Sequence, residues 1–437
     1  MSLRFDTSRR LDRATGRETV VFRPDQRVCE LVFRLWPNKP ETAAQGSSLA
    51  VTRAWVDGRP VRPRSRPATE YGPGARPAKP TPPTLLELPL RRCVDAGERV
   101  RARLDFVLAL GKDASERVGY SRPEGMAWFA TAFPMLAWER GKGWMRDPAV
   151  ELFGEMAGSE DFRLRALDVV VRRGVETMGT GRRERSRPGP RGTVVHRFGA
   201  PAVRDVSVVV GDMDVLERTV GGVSVHVAGS TRGTERPLRL WLDRTTTSLT
   251  NLTRLFGPYG YSDLWATVVP DIDSGIEFPS AIQFGDVDPV AFAPLVSHEV
   301  AHMWFYGLVG NDQGRDPWLD ESFATYAQAL VDRDESAYLG VEVPAAAAGR
   351  LGEPMTYWAR RPRSGELYGV GVYQQGGQAL LRAREAAGAG VFDRAVRAYV
   401  DANAHRVTRP SDVRDALSGL PEALEELDRA GAFVRTG

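Results

Sequence analysis

Two of the five histidines in this 437-residue chain stand four positions apart, in the stretch HEVAH. On a helix, that spacing places His298 and His302 one turn apart on the same face, so both imidazoles reach a single ion. Glu299 lies beside that face, where a carboxylate contacts a metal-bound water instead of the metal. Two imidazoles and an adjacent carboxylate indicate a hydrolytic zinc site, although a pattern of five residues also arises by chance.

A candidate third ligand follows on the next predicted helix. Asp316 and Pro317 form a helix-start signal, and Glu321 falls in the second turn of the helix expected after them. Most side chains around Glu321 are apolar, which disfavours the usual interpretation of a glutamate as a solvated carboxylate. Three protein ligands leave the fourth coordination position to water, as in catalytic zinc sites.

These residues carry a resemblance to a known family. HExxH, then eighteen residues and Glu321 within WLDESFATY, resembles the gluzincin zinc aminopeptidases of the aminopeptidase N family. Upstream, SGIEFPSAIQFG resembles the exopeptidase motif of that family. Downstream, YGVGVYQQGGQALL resembles the segment that holds its catalytic tyrosine. The likeness covers nearly the whole chain and is strongest over residues 255–380, which implies a compact bacterial member of the family.

The resemblance implies a role for each matched residue. It implies one Zn²⁺ ion, with the ligands His298, His302 and Glu321. It implies two catalytic residues, Glu299 as general base and Tyr373 as hydrogen-bond donor to the transition state. It also implies a substrate-binding set that captures the amino terminus of a peptide, namely Gly275, Ile276 and Glu277. Tyr368 is consistent both with the wall of that pocket and with an ordinary buried tyrosine.

Several positions depart from the pattern of the family. Phe278 stands where the exopeptidase motif has Asn, and Gln375 replaces the Lys that follows the catalytic tyrosine. Asp320 and Ser322 replace Asn and Gly on either side of the third ligand. None of these changes removes a ligand or the base. The chain ends soon after the catalytic helices, so we expect no large C-terminal helical domain and a more open active site.

The pattern of apolar residues predicts an α+β multidomain chain. Up to about residue 230, short alternating runs with Gly and Pro between them indicate antiparallel strands. RVRARLDFVLAL is typical, and the Pro-rich stretch 58–84 predicts an exposed loop. Later runs are mostly helical. We therefore expect an N-terminal antiparallel β-sheet saddle domain over residues 1–232 and a thermolysin-like, mostly α catalytic domain over residues 233–437.

The composition of the chain excludes some classes of binding partner. Lys and Arg number 59 against 56 Asp and Glu, and they are interleaved, so nucleic acid is not expected as a partner. No apolar run is long enough to span a membrane. The start of the chain has no signal-peptide pattern, which predicts a cytoplasmic protein unless an export segment is missing. Cys29 and Cys93 allow one disulfide or two free thiols.

The sequence therefore favours a zinc aminopeptidase that hydrolyses the N-terminal peptide bond of peptides. A zinc endopeptidase with the same metal site is the first alternative. The second is a binding protein that has kept the fold and lost turnover, although the intact HExxH motif argues against it. A nucleotide-binding loop at GVGVYQQGG is excluded, because the glycine spacing does not fit.

Overall fold

The computed structural model describes residues 1–66, 69–70, 82–111, 115, 117–150, 152 and 160–433. In these ranges, the strands of the N-terminal half are β1 Ser2–Thr7, β2 Arg13–Phe22, β3 Val28–Arg34, β4 Ser48–Val56, β5 Arg59–Val61, β6 Arg64–Arg66, β7 Thr69–Glu70, β8 Leu85–Val94, β9 Val100–Ala109, β10 Val118–Ser121, β11 Met126–Ala130, β12 Met135–Leu136, β13 Trp138–Glu139, β14 Gly143–Trp144, β15 Ala149–Val150, β16 Phe162–Arg172, β17 Glu176–Gly179, β18 Arg182–Arg183, β19 Arg187–Pro188, β20 Thr193–Val203 and β21 Ser207–Gly211. The later strands are β22 Met213–Val220, β23 Val223–Ser230, β24 Asp263–Val269, β25 Gly275–Phe278, β26 Ala281–Gly285, β27 Val309–Asn311 and β28 Arg406–Thr408.

The helices lie mostly in the C-terminal half. The α-helices of the described ranges are α1 Pro40–Ala44, α2 Leu238–Phe256, α3 Ala293–Ala301, α4 Trp318–Asp332, α5 Glu335–Leu339, α6 Met355–Ala359, α7 Ser364–Tyr368, α8 Gln375–Ala387, α9 Ala389–Asn403, α10 Pro410–Ala416 and α11 Pro421–Arg429. A π-helix, Gly369–Gln374, joins α7 to α8. Short 3₁₀ turns occur at Trp36–Asn38 and Pro190–Gly192.

The N-terminal half is built on a nine-stranded sheet whose main path runs β18-β20-β16-β1-β2-β9-β4-β5, with β19 also pairing β20. Strand β9 shows how this half is built: Val100, Ala102, Leu104, Phe106 and Leu108 are buried and alternate with residues that are exposed or partly buried. Most pairs are antiparallel, and the exceptions in this half are β1 with β16 and β7 with β15. Part of the Pro-rich stretch 58–84 lies outside the described residues, and its described part includes β5, β6 and β7 instead of only loop.

The C-terminal half holds a five-stranded sheet of order β22-β23-β24-β26-β25, packed with helices. Helix α2 contacts both β23 and α3, so it links that sheet to the helices around the site. An N-terminal β part followed by a mostly helical part confirms the predicted fold class. The domain boundary at residue 232 stays a prediction. Strand pairing favours a boundary near residue 212, because β22 and β23 join the sheet of the C-terminal half.

One continuous hydrophobic core runs through both halves, from Leu3 to Ala432. Cys29 on β3 and Cys93 on β8 form a disulfide, with Cα atoms 4.1 Å apart. Of the two alternatives, one disulfide or two free thiols, the structure therefore has the disulfide. Among the described residues, no helix is long and apolar enough to cross a membrane.

Candidate metal centre and active site

Three side chains meet at the candidate metal centre. The Nε2 atom of His298 lies 3.1 Å from Oε2 of Glu321 and 3.1 Å from Nε2 of His302. The Nε2 atom of His302 lies 3.4 Å from the same carboxylate oxygen. All three side chains are buried. The HExxH spacing and the family resemblance made these residues candidate ligands, and the structure brings them together.

Two consecutive helices position these groups. Helix α3, with Pro294 in its first turn, ends in the HEVAH stretch, so His298 lies in its last turn and His302 directly after it. Helix α4 begins at Trp318, after Pro317, and carries Glu321. Glu321 therefore lies in the first turn of α4 and not in the second, because the helix begins one residue later than the sequence signal predicted.

A backbone contact fixes the orientation of one imidazole. The Nδ1 atom of His302 lies 3.1 Å from the carbonyl oxygen of Phe305, which can only accept a hydrogen bond. The Nδ1 atom therefore carries a proton. When the ring is neutral, Nε2 has no proton, and its lone pair faces Glu321 and His298. A metal-binding histidine commonly has such a partner on its second nitrogen.

The three groups also control each other's charge. Burial by itself lowers the pKa of His302, but the carboxylates of Glu321 and Glu277 outweigh it and raise that pKa well above its ordinary value. Burial raises the pKa of Glu321, but His302 and His298 more than offset it and hold that pKa well below its ordinary range. A divalent cation that binds these donor atoms displaces the proton that the imidazoles and the carboxylate of Glu321 hold between them.

The donor set fits one zinc ion. Ligands placed tetrahedrally around Zn²⁺ at about 2.0–2.1 Å lie roughly 3.3 Å from each other. The three separations here, 3.1, 3.1 and 3.4 Å, match that figure. Two imidazoles and one carboxylate are a donor set of catalytic zinc sites, in which the fourth position is open.

Gly275 explains how Glu299 reaches the centre. A Cβ atom at residue 275 would lie 2.6 Å from Cγ and 2.8 Å from Oε1 of Glu299. Only glycine leaves that space, so the start of β25 packs directly on the Glu299 side chain. An oxygen of Glu299 also lies within 4.8 Å of donor atoms of His302 and Glu277. The structure thus brings Glu299 next to His302, one of the three candidate metal ligands.

Glu277 lies in a buried cluster of carboxylates. Its ligand atom lies within 4.8 Å of those of Asp320 and Glu321. The amide Nε2 of Gln313 donates a hydrogen bond to Oε1 of Glu277 at 3.2 Å. Burial, reinforced by Glu321, raises the pKa of Asp320 well above its ordinary value. Sequence reasoning did not identify Gln313, which lies in the irregular stretch before α4 and has no recognisable spacing.

The two candidate tyrosines lie on one side of the centre. The ring of Tyr373 stacks on that of His298, with centroids 5.6 Å apart and planes at 17°. Tyr368 is fully buried and contacts Tyr373 edge to face, at 5.7 Å. Ile276 is buried in the hydrophobic core, and strand alternation directs its side chain away from the face of Glu277. Ile276 could therefore contact a substrate only through its backbone atoms.

Comparison with known sequences identifies one domain. Residues 288–429 match the family model of the peptidase family M1 domain. Part of the chain resembles aminopeptidase N of Streptomyces lividans, with 31% identity over 142 residues. That alignment covers 29% of this chain and 16% of the relative, so the chain spans only a small part of that longer protein.

Comparison of folds extends over the whole chain. An M1 zinc metallopeptidase from Deinococcus radiodurans superimposes with a TM-score of 0.68 and 18% identity, covering 99% of this chain and 94% of the other. A mutant of the Deinococcus protein, bound to a Tyr-Ser-Ala substrate, gives a TM-score of 0.66 and 19% identity, covering 100% and 94%. At this identity, the likeness shows that the two chains share a fold.

Proposed function

We propose that this chain, whose residues 288–429 form a peptidase family M1 domain, is a zinc aminopeptidase that releases N-terminal residues from peptides. The observation that carries the proposal is the spacing of the three donor atoms, 3.1–3.4 Å, next to the two carboxylates of Glu299 and Glu277. One carboxylate suits a general base and the other suits the capture of an amine. The solved relative with a bound Tyr-Ser-Ala substrate supports peptides as the substrate class.

His298, His302 and Glu321 would hold the metal. When bound, Zn²⁺ supplies a Lewis acid and lowers the pKa of a coordinated water toward about 7. The protein contributes a fixed donor set and a buried setting, in which electrostatic interactions are stronger than in water.

Glu299 is the proposed general base. Its carboxylate accepts a proton from the attacking water and passes that proton to the nitrogen of the departing amine. Gly275 keeps this carboxylate in place, because the backbone of β25 closes off the space behind it. Helices α3 and α4 thus position the metal ligands, whereas strand β25 fixes the position of the base.

Tyr373 is the proposed donor to the developing oxyanion. Its ring is half-buried and stacks on the ring of His298, so Tyr373 lies beside that ligand. A phenol donates one hydrogen bond, and a donor aimed at the transition-state oxygen is commonly worth about 100-fold in rate. Tyr368 supports the ring of Tyr373 from its edge, which fits a pocket wall.

Glu277 would bind the substrate's α-ammonium group. A buried carboxylate binds an ammonium group strongly, because neither charge is screened by water. The hydrogen bond from Gln313 holds the carboxylate on the face of β25 that carries Gly275. A fixed distance between this anchor and Glu299 would restrict cleavage to the first peptide bond.

Replacing the base is the direct test of catalysis. Glu299→Gln keeps the size of the side chain and removes the proton acceptor, so kcat should fall about 100-fold or more while the bound zinc stays at one per chain. Metal analysis and aminoacyl fluorogenic substrates measure the two quantities. A variant that binds zinc and keeps wild-type kcat would show that Glu299 is not the base. Wild-type protein that binds zinc without any turnover would indicate a binding protein.

Replacing the amine anchor tests the exopeptidase assignment. Glu277→Ala removes a charge-assisted contact with the substrate, so KM for free-amine peptides should rise about tenfold or more. Peptides with an acetylated N-terminus lack the ammonium group and should resist the wild-type enzyme. Cleavage of acetylated and free peptides at equal rates would instead identify an endopeptidase.

A further inference from the structure

We propose that Ser322 and Gln375 are positioning residues that hold Tyr373 in its place beside the metal centre. This inference rests on the proposed role of Tyr373 as the oxyanion donor. Both residues occupy positions where the sequence departs from the pattern of the family it resembles. The structure places both departures against the same short π-helix, Gly369–Gln374, which carries Tyr373.

A π-helix is a rare conformation that needs support from its surroundings. It has wider turns than an α-helix and usually occurs as a single turn at a functional site. Here the turn is closely packed, since a Cβ atom at Gly371 would overlap the ring of Trp358. The backbone next to Tyr373 must therefore be held by other parts of the protein.

Ser322 holds the residue before the tyrosine. Its hydroxyl donates a hydrogen bond to the carbonyl of Val372 at 2.7 Å, and its side chain is fully buried. Ser322 directly follows the ligand Glu321 on α4. A Cβ atom at Gly376 would overlap the Ser322 hydroxyl, so the glycine of α8 provides the space for this contact. One hydrogen bond thus links the ligand-bearing helix to the backbone next to Tyr373.

Gln375 holds the residue before Val372 in the π-helix. Its amide Nε2 donates to the carbonyl of Gly371 at 3.0 Å and to that of Ala347 at 3.1 Å. Its Oε1 accepts a hydrogen bond from the backbone N–H of Gly349 at 3.0 Å. A lysine at this position has no acceptor and could not bind Gly349. The glutamine joins the π-helix to the loop before α6 through both ends of its amide.

The two contacts fix the backbone at Val372 and Gly371, immediately before the tyrosine. Removing either leaves a buried carbonyl with a lost donor and allows the turn to shift. A shift of about 1 Å in a catalytic group can lower the rate by up to about 100-fold without weakening substrate binding. We therefore expect an effect on kcat that is transmitted only through Tyr373.

A double-mutant cycle tests this route. We expect Ser322→Ala to lower kcat about tenfold, with KM changed less than twofold and zinc content unchanged. In the Tyr373→Phe background, which has no hydroxyl to position, the same change should lower kcat no further. Gln375→Met, which removes both polar ends at similar volume, should behave in the same way and replaces Ser322→Ala if that variant does not fold.

The outcomes separate this inference from the proposed function. An equal loss of kcat from Ser322→Ala in both backgrounds, or no loss in either, overturns the positioning role and leaves the zinc mechanism standing. Wild-type kcat in Tyr373→Phe removes the tyrosine from the reaction and the inference with it, while Glu299→Gln still tests the mechanism. Thr408→Val is the matched control, because it also removes a buried hydroxyl that donates to a backbone carbonyl, that of Gly310 at 2.8 Å. Its kcat should match the wild type.

Discussion

Single residues at the site act through the space they leave as well as through their chemistry. Gly275 was predicted to belong to the substrate-binding set. The structure gives it a more specific constraint, since the Glu299 side chain fills the space that a Cβ atom would occupy. The first residue of the segment that resembles the exopeptidase motif thus controls the position of Glu299, the proposed base. Two motifs that are separate in the sequence form one packed contact.

Gly275→Ala should therefore impair catalysis more than binding. The added methyl group would lie 2.6 Å from Cγ of Glu299, so either the carboxylate or the strand must shift. We expect kcat to fall about tenfold or more with zinc content retained, measured by steady-state kinetics and metal analysis. Gly390→Ala is a matched control on the exposed side of α9, where the new Cβ meets only the Arg394 guanidinium at 3.6 Å. Wild-type kcat in Gly275→Ala would show that the strand yields without moving the base.

The proposed metal ligands could be predicted because their signal is local. His298 and His302 are related by helix periodicity, and Glu321 follows a helix-start signal in a stretch that resembles a known family. Gln313 could not be predicted in this way. It meets Glu277 only because the stretch before α4 folds back onto β25, and sequence spacing does not record that contact. The burial of Asp320 was likewise hidden by its neighbour, since adjacent acids on a helix ordinarily face water.

At the level of elements, the alternation of buried and exposed residue types predicted strands well, but it did not predict the π-helix. Strand β9 was identified from its two-residue period, and its inward residues are almost fully buried. The π-helix that carries Tyr373 has no comparable period. It packs against Trp358 and Ser322, which come from two separate segments, and its backbone also accepts a hydrogen bond from Gln375.

The two faces of β9 should respond differently to truncation. Leu104 is fully buried between β2 and β4, so Leu104→Ala removes buried methyl groups and leaves a cavity. We expect the free energy of unfolding to fall by about 3 kcal/mol. Arg101, on the opposite face of the same strand, is exposed, and Arg101→Ala should change stability by less than about 0.5 kcal/mol. Urea unfolding of both variants decides the matter, and equal losses would mean that the strand faces are wrongly assigned.

At the scale of the whole molecule, the sequence predicted the order of the two parts, and the domain boundary at residue 232 stays a prediction. The change from strand-like to helical patterns occurs near residue 233, whereas the sheet that supports the site already begins with β22 at Met213. Strand partners separated by a long helix cannot be read from local periodicity. The disulfide is similar, because Cys29 and Cys93 become neighbours only through the pairing of β3 with β8.

The two halves also meet through a buried polar network centred on Asp205. Its Oδ2 accepts a hydrogen bond from the Thr131 hydroxyl at 2.6 Å and lies 3.8 Å from the Arg117 guanidinium. The hydroxyl of Tyr306, from the segment after the HEVAH stretch, lies 3.4 Å from the same oxygen. Arg117 in turn lies over the ring of Phe278, 5.2 Å from its centroid. The N-terminal half thereby supports the residue that follows Glu277 in β25.

This network should make stability depend on pH through Asp205. Burial raises the pKa of Asp205 to about 6, and Arg117 and the hydrogen bonds offset that effect only in part. Between the unfolded pKa of about 3.8 and the folded one, the folded chain binds more protons than the unfolded chain, so the stability contributed by this group is lost as pH rises. Relative to Asp205→Asn, the wild type should lose about 1.4 kcal/mol between pH 5 and pH 7.5, measured by urea unfolding at each pH. In the variant, residue 205 does not titrate and Arg117 stays charged throughout, so this site adds no pH dependence to the stability of the variant. A wild-type-minus-variant difference that is constant over this range, or that grows with pH, would mean that Asp205 is already ionised in the folded protein at pH 5.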